Sequence, residues 1–130
     1  MASSKIPLIG HLDVARVTLA SANYKNGFAP VDSSSRITYV VKSGICTVSI
    51  HKCKLTQTVS ADDELFDGLP TAVSGDVYPF PVHPVNTDYA LTFVVTGNKV
   101  VSYTNAGSSS LNANIWATLI YPVSDSWSPS

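Results

Sequence analysis

The sequence predicts an all-β protein, either an antiparallel β-sandwich or a jelly-roll-like β-barrel, with little helix. Apolar and polar residues alternate with a period of two in several segments, which is the pattern of half-buried strands. Turn-forming residues recur at regular intervals, and about seven to nine strands fit between them. The 130 residues are enough for one domain that buries its own core.

The composition indicates a protein that hides surface by self-association. It is 45% hydrophobic and only 13% charged, against a usual charged share of about 25%. Ser and Thr supply much of the polar surface, and low charge is typical of buried interfaces. The alternative is a monomer with a neutral exterior.

The charge pattern argues against nucleic-acid binding, and the hydropathy argues against membrane insertion. The net charge is −1 and the basic residues are scattered, with only Lys52 and Lys54 close together. A membrane-spanning helix needs about 20 apolar residues in succession, and the apolar runs here are only a few residues long.

The sequence divides into three parts. Residues 1–22 are predicted to be a short neck or an N-terminal strand segment, because Leu12/Val14 and Val17/Leu19 each keep a spacing of two. Residues 23–123 are predicted to form the β head domain, which opens with a loop rich in Asn, Gly, Pro and Ser. Residues 124–130 are predicted to be a flexible tail.

The clearest hairpin runs from Arg36 to Ile50. Its turn is expected at Lys42-Ser43-Gly44, where Gly takes a positive φ without strain. On the return strand three apolar residues should face the core, while the hydroxyls between them face outward. These core residues are Cys46, Val48 and Ile50.

The second half of the head contains one capping signal and a second hairpin. Ser60 can cap a single short turn, with Asp63 or Glu64 bonding back to it. Residues 89–96 form an apolar strand, and Gly97-Asn98 is a two-residue turn that leads into the next strand. A terminal strand is expected over 112–123.

Three prolines lie within residues 77–84. They exclude a central strand there and leave an edge strand or an extended loop.

No pattern in the chain predicts catalysis, a metal or a cofactor. Cys46 and Cys53 should be free thiols, because an extended strand between them spans roughly 23 Å. The acidic run 62–64 lacks the spacing of a calcium loop. None of the three histidines lies in a nucleophile elbow, and nothing indicates a convergent pair of carboxylates.

Recognition by neutral groups therefore remains, and aromatic rings near loops and strand ends are the natural candidates. Saccharides bind to aromatic faces together with amide, hydroxyl and backbone groups. The candidate ligand-binding residues are Tyr78, His83, Tyr103, Asn105 and Trp116, with Trp127 as a further aromatic residue. For each of them packing in the core or between subunits is the alternative, above all for Trp116.

Three segments carry a resemblance to a known family. They are Asn23-Tyr24 with Gly27-Phe28-Ala29-Pro30, the strand Gly44–Ile50, and Phe66 with Gly68-Leu69-Pro70. In their order and spacing they resemble the C-terminal head domains of bacteriophage tail fibres and baseplate receptor-binding proteins.

This resemblance implies a homotrimeric head that binds a host cell-surface saccharide. It implies residence in the virion tail or baseplate after assembly in the host cytoplasm, with other tail or baseplate proteins as further partners. Saccharide sites vary in this family, so no binding residue is transferred. Two alternatives stay open: a structural virion protein, such as a baseplate adaptor or capsid decoration, and a non-viral trimeric lectin-like domain.

Overall fold

The computed structural model describes residues 13–74, 76–87, 90–105, 107 and 111–129. Within these residues nine strands form two antiparallel sheets, and the other regular element is a three-residue 3-10 turn at Ser21–Asn23. The strands are β1 Val14–Thr18, β2 Phe28–Pro30, β3 Arg36–Lys42, β4 Ile45–Leu55, β5 Glu64–Phe66, β6 Tyr78–Val82, β7 Leu91–Thr96, β8 Lys99–Ser102 and β9 Ile115–Pro122.

The two sheets pack face to face. One has the order β9-β4-β3-β1, with β2 also paired to β4, and the other has the order β5-β8-β7-β6. The predicted antiparallel β-sandwich is confirmed, and among the described strands the sheets do not close into the barrel that was its alternative.

The β3–β4 hairpin is the one that the sequence predicts. Lys42 pairs with Ile45 across the turn. Ser43 and Gly44 have φ values of 52° and 77°, the signs that a two-residue type I′ turn requires. The predicted core residues of β4 are buried, and Ser49 is exposed.

A β-bulge at Lys52 divides β4 into two parts. Ala117 pairs with Ile50 but Ile115 pairs with Cys53, so β4 contains one extra residue at this point. Lys52 takes a φ of 57°, and its Nζ lies 2.7 Å from Asp32 Oδ2. Beyond the bulge β4 pairs with β2, whereas before it β4 pairs with β3.

The proline-rich segment is an edge strand, which is one of the two forms that the sequence predicts for it. β6 lies at the end of the four-stranded sheet, and Tyr78–Val82 pairs with β7 alone. Leu91, Phe93 and Val95 of β7 all point into the core. Proline is tolerated at this edge because it lacks only a hydrogen bond that the edge does not need.

The capping signal at Ser60 produces a single short turn, as the sequence predicts. Ser60 N–H donates to Asp63 Oδ2 at 2.9 Å, as expected of a capping residue. Strand β5 then begins at Glu64. Leu65 and Phe66 of β5 are both fully enclosed between the sheets.

Phe28 connects the two sheets at the centre of the core. Its ring stacks on Phe66 at 5.7 Å and meets Phe93 edge-on at 5.9 Å. Cys46 and Cys53 are buried in the same core as free thiols, so the prediction of no disulfide between them is confirmed.

Two of the three segments that carry the family resemblance, the first and the third, meet in one corner. Tyr24 forms an isolated bridge with Phe66, and Asn23 Nδ2 donates to Asp67 Oδ1 at 2.8 Å. Farther along, the Tyr121 hydroxyl donates to the Pro70 carbonyl at 2.6 Å within the buried interior. The corner thus joins the first loop, the turn after β5 and the terminal strand.

The ends of the chain are described only in part. Val14–Thr18 is a strand of the five-stranded sheet, while residues 1–12, including Leu12 and His11, lie outside the described residues. In the predicted tail, Ser124 N–H donates to the Thr71 carbonyl at 2.7 Å, and the half-buried Trp127 packs against the core. Asp88, Tyr89 and most of residues 106–110 also lie outside the described part.

Candidate functional site

The structure does not gather the five candidate ligand-binding residues into one place. Trp116 lies on the outer face of the five-stranded sheet, while Tyr103 and Asn105 follow β8 beside the outer face of the other sheet. Tyr78 is turned toward the interior, and His83 is in the loop after β6. They therefore cannot act as a single site within one chain.

Two of the candidates make local structural contacts. The Tyr78 ring lies 6.3 Å from that of Tyr121. Burial raises the pKa of Tyr78, and the nearby Asp76 carboxylate adds to the rise. The exposed His83 places Nε2 at 2.5 Å from the Thr87 carbonyl, which fixes the loop after β6.

A polar concave surface forms an open groove of about 460 Å³ around Trp116, here called the Trp116 groove. It crosses the outer face of β1, β3, β4 and β9. The residues that line it are Arg16, Arg36, Thr38, Ser49, Ile50, His51, Trp116, Ala117 and Thr118.

Cross-strand register sets four hydroxyl side chains side by side on this face of the sheet, and three of them, Thr38, Ser49 and Thr118, line the groove. Thr18 pairs with Thr38, Thr38 with Ser49, and Ser49 with Thr118. We call these four residues the hydroxyl row. Because neighbouring strands lie about 4.8 Å apart and paired residues point to the same face, the row is a regular ladder of polar groups.

A cationic and aromatic row runs beside the hydroxyl row. Arg36 pairs directly with His51, and the His51 ring meets the Trp116 ring edge-on at 6.2 Å and 89°. Trp116 is 45% exposed, so its ring is free to contact a ligand although one side touches His51. Arg16 of β1 completes the groove.

The groove has positive charge without a compensating carboxylate. Its lining contains two arginines and no Asp or Glu. The three ion pairs among the described residues are Lys25–Asp67, Lys52–Asp32 and Lys99–Glu64, and neither arginine takes part in them. The groove therefore offers free guanidinium donors next to hydroxyls and an indole ring.

The outer face of the four-stranded sheet has a more apolar groove of about 510 Å³, here called the Tyr103 groove. Pro79, Val94 and Val101 form a cross-strand row at its floor. Val94 and Val101 are buried, whereas Tyr103 at the margin is 65% exposed. The lining residues are Asp62, Val77, Pro79, Thr92, Val94, Thr96, Val101 and Tyr103.

Asn105 is held beside this second groove. Its Oδ1 accepts a hydrogen bond of 2.8 Å from Ala61 N–H. Asn105 thus fixes the turn before β5, and its remaining amide donors face solvent on an exposed residue.

Most of the Trp116 groove was missed by reasoning from loops and strand ends. Arg16, Arg36, Thr38, Ser49, His51 and Thr118 were not candidates. The hairpin register could have predicted part of the groove. A two-residue turn at Ser43-Gly44 pairs Arg36 with His51 and Thr38 with Ser49. No sequence pattern near Arg16 or Trp116 predicts that these two residues lie beside Arg36 and His51.

The described residues show neither a metal centre nor a spanning helix. No three His, Cys, Asp or Glu side chains in this part of the chain come together in a way that could hold a metal ion. No helix among the described residues is long and apolar enough to cross a membrane.

Comparison with known proteins gives no assignment. No protein-family model matches the chain, and no curated protein matches its sequence.

Proposed function

We propose that this chain is a receptor-binding module of a bacteriophage virion, which adsorbs as a homotrimer to a saccharide on the host cell surface. The Trp116 groove is the saccharide site in this proposal. The observation that carries it is the juxtaposition of an exposed indole ring, two guanidinium groups without a carboxylate partner and the hydroxyl row on one sheet.

The chemistry of the groove suits a sugar ring. The apolar face of a sugar packs on an aromatic ring, while its hydroxyls need a dense set of donors and acceptors. Trp116 supplies the ring, and the hydroxyls of Thr38, Ser49 and Thr118 supply both donors and acceptors. Since no carboxylate lines the groove, it offers binding groups without an acid–base pair.

The proposed phage origin and the proposed trimer are supported by observations outside the groove. The resemblance to tail-fibre and baseplate heads involves the segments that meet in the corner around Tyr24 and Phe66. Self-association is supported by the low charge of the chain and by an apolar surface beyond the groove. This surface, the Ile120 patch, consists of Val40, Ile45, Ile120 and Pro122.

The test is adsorption of the labelled chain to a panel of bacterial envelopes. Wild-type protein is expected to adsorb to at least one envelope, and Trp116→Ala is expected to lose most of that adsorption. Tyr103→Ala is the matched control, because it removes another exposed aromatic side chain, which lies beside the other sheet. Adsorption to no envelope would contradict the function, and loss with Tyr103→Ala alone would contradict the site.

A structural virion role is the second candidate, and the Tyr103 groove favours it. An apolar floor of Pro79, Val94 and Val101 beneath an exposed Tyr103 is typical of a surface that packs against another protein. Purification of the chain with another virion protein, lost in Val101→Asp, would support this role. Deletion that stops assembly rather than adsorption would favour it over receptor binding.

A further inference from the structure

We infer that the Trp116 groove selects acidic saccharides, in which a carboxylate, phosphate or sulfate group lies beside a sugar ring, and that Arg16 and Arg36 bind this anionic group. The inference rests on the proposed saccharide-binding function and specifies its ligand class.

The first argument is the unused donor capacity of the two arginines. A guanidinium group has five N–H donors in a planar fork that matches an oxyanion. Arg36 uses Nη1 to bind the Ser34 carbonyl at 2.8 Å, which orients its side chain and leaves donors for a ligand. Arg16 makes no hydrogen bond or ion pair with another described residue.

The second argument is charge. The groove has two arginines and no acid, although the chain as a whole has a net charge of −1. Asp32, in the loop before β3, is bound to Lys52 at 2.7 Å and does not line the groove. A neutral sugar would leave both guanidinium charges without a counter-charge in the bound state, whereas an acidic sugar supplies one.

The third argument is the arrangement of the rows. Arg36 is in the same cross-strand row as His51, next to Trp116. Thr38 of the hydroxyl row is two residues from Arg36 on the same face of β3. A ring stacked on the indole can therefore present its acidic substituent to the arginines and its hydroxyls to Ser49 and Thr118. The groove thus fits the two ends of one acidic sugar unit.

A nucleic-acid strand fits these observations less well. Binding along a phosphate backbone needs a series of basic contacts with several stacking rings. The groove lining has two arginines and one indole. Lys42, a further exposed cation of β3, is at the opposite end of that strand from Arg36. The geometry therefore favours a single acidic unit over a polyanionic strand.

The experiment uses the full chain on an array of oligosaccharides printed as matched pairs. Each pair contains a free acid, such as an oligogalacturonate, and its neutral methyl ester or carboxyl-reduced form, with phosphorylated and sulfated sugars beside their unmodified forms. Single-stranded oligonucleotides are included. At least one acidic form is expected to bind about 10-fold or more tightly than its neutral partner, the effect of losing one charge-assisted contact.

Variants then assign the preference to the arginines. Arg36→Gln and Arg16→Gln are each expected to reduce binding of the acidic form by about 10-fold while changing that of the neutral form little. Lys42→Gln is the matched control, because it removes an exposed cation from the same face outside the groove and is expected to leave both unchanged. Circular dichroism checks that each variant is folded.

The outcomes separate this inference from the proposed function. Equal binding of acidic and neutral forms, no acidic form bound, or tighter binding of oligonucleotides would overturn the inference. If envelope adsorption persists in that case, the receptor-binding function still stands. A preference for acidic forms without adsorption to any envelope would support the inference and overturn the phage receptor role.

Discussion

Gly68 is in the turn after β5, where the backbone comes close to the side chain of Asn23. It takes a φ of 83°, in the left-handed region that residues with a Cβ rarely adopt. A Cβ at this position would lie 2.6 Å from Asn23 Nδ2. Asn23 itself is fixed by its hydrogen bond to Asp67, so the position demands glycine for two independent reasons.

Gly68→Ala is therefore expected to lower the free energy of unfolding by about 2–4 kcal/mol. Gly97→Ala is the matched control, because Gly97 also has a positive φ of 58° but no atom within 4 Å of its added Cβ. Gly97→Ala should lower the free energy of unfolding by only about 1–2 kcal/mol, the cost of the left-handed backbone alone. Urea unfolding measures both, and equal losses would contradict the role of Asn23.

The two thiols are expected to make stability depend on alkaline pH. Burial raises the pKa of Cys46 and of Cys53 to about 11, from an ordinary value of 9.0. A pKa raised by folding gives stability that is fully present below the unfolded value and is lost as pH rises through the folded value. The free energy of unfolding should thus decline between about pH 9 and pH 11.

Unfolding titrations at increasing pH measure this decline, and Cys46→Ala/Cys53→Ala is the comparison. In that variant the decline should begin nearer 10.0, the ordinary pKa of a tyrosine, because burial also raises the pKa of Tyr24, to about 12. The thiols of the folded wild type should react slowly with a disulfide reagent at neutral pH. Rapid labelling of both thiols without unfolding would contradict their burial.

At the scale of elements, the β3–β4 hairpin supplies half of the Trp116 groove, and its turn sets the register of that half. Ser43 is an exposed residue with a φ of 52°, followed by Gly44 with a φ of 77°. Asn is favoured at such a position, whereas a β-branched residue is strained there. The turn therefore allows a test of register without touching the groove.

Ser43→Val is expected to destabilise the fold by about 1–3 kcal/mol, and Ser43→Asn to be neutral or slightly stabilising. Thermal unfolding measures the difference between the two variants. Equal stability of the two would show that this turn does not determine the hairpin. Both retain Asp13 as an acceptor for the backbone N–H of residue 43, which Asp13 Oδ1 binds at 2.7 Å.

Features of the fold could be predicted from the sequence where the residues that determine them lie close together in the chain. The hairpin at Ser43-Gly44 and the edge strand with its prolines were predictable because their signals lie within a few residues. The Lys52 bulge was not, since a lysine at positive φ carries no local signal. Strand β5 was not predicted either, because three residues are too few to show an alternating pattern.

The candidate site was less predictable than the fold for the same reason. Aromatic residues near loops were reasonable choices from sequence, yet only Trp116 among them lines the polar groove. The partners of Trp116 come from β1, β3 and β4, and Thr118 reaches Ser49 only through the pairing of β9 with β4. Such long-range pairing is a property of the folded sandwich and not of any sequence window.

At the scale of the whole molecule, the proposed association of copies involves the outer face of one sheet. The Ile120 patch is on the five-stranded sheet beyond the groove, and Ile120 is 54% exposed. If three copies associate through this patch, the groove lies at the rim of each interface, where a saccharide can still reach it. Burial of exposed apolar side chains is the driving force for such association.

Ile120→Asp is therefore expected to convert the proposed trimer into monomers in sedimentation velocity, with a change of less than about 1 kcal/mol in the free energy of unfolding of the monomer. Val77→Asp is the matched control, because Val77 is 60% exposed but lies just before β6 of the opposite sheet. It should leave the trimer intact. A monomeric wild type, or dissociation by Val77→Asp alone, would contradict this interface.

The central claim, that the Trp116 groove binds the host saccharide, is tested most directly by the two indole N–H resonances of the chain. Trp116 lines the groove, while Trp127, the only other tryptophan, packs against the core near the last strand. The labelled protein is titrated with envelope polysaccharide from a host to which it adsorbs. We expect the Trp116 resonance to shift in a saturable way together with the amides of Thr38 and Ser49, while the Trp127 resonance stays in place. Saturable shifts confined to Tyr103 and the other residues of the Tyr103 groove, with Trp116 unmoved, would contradict the claim.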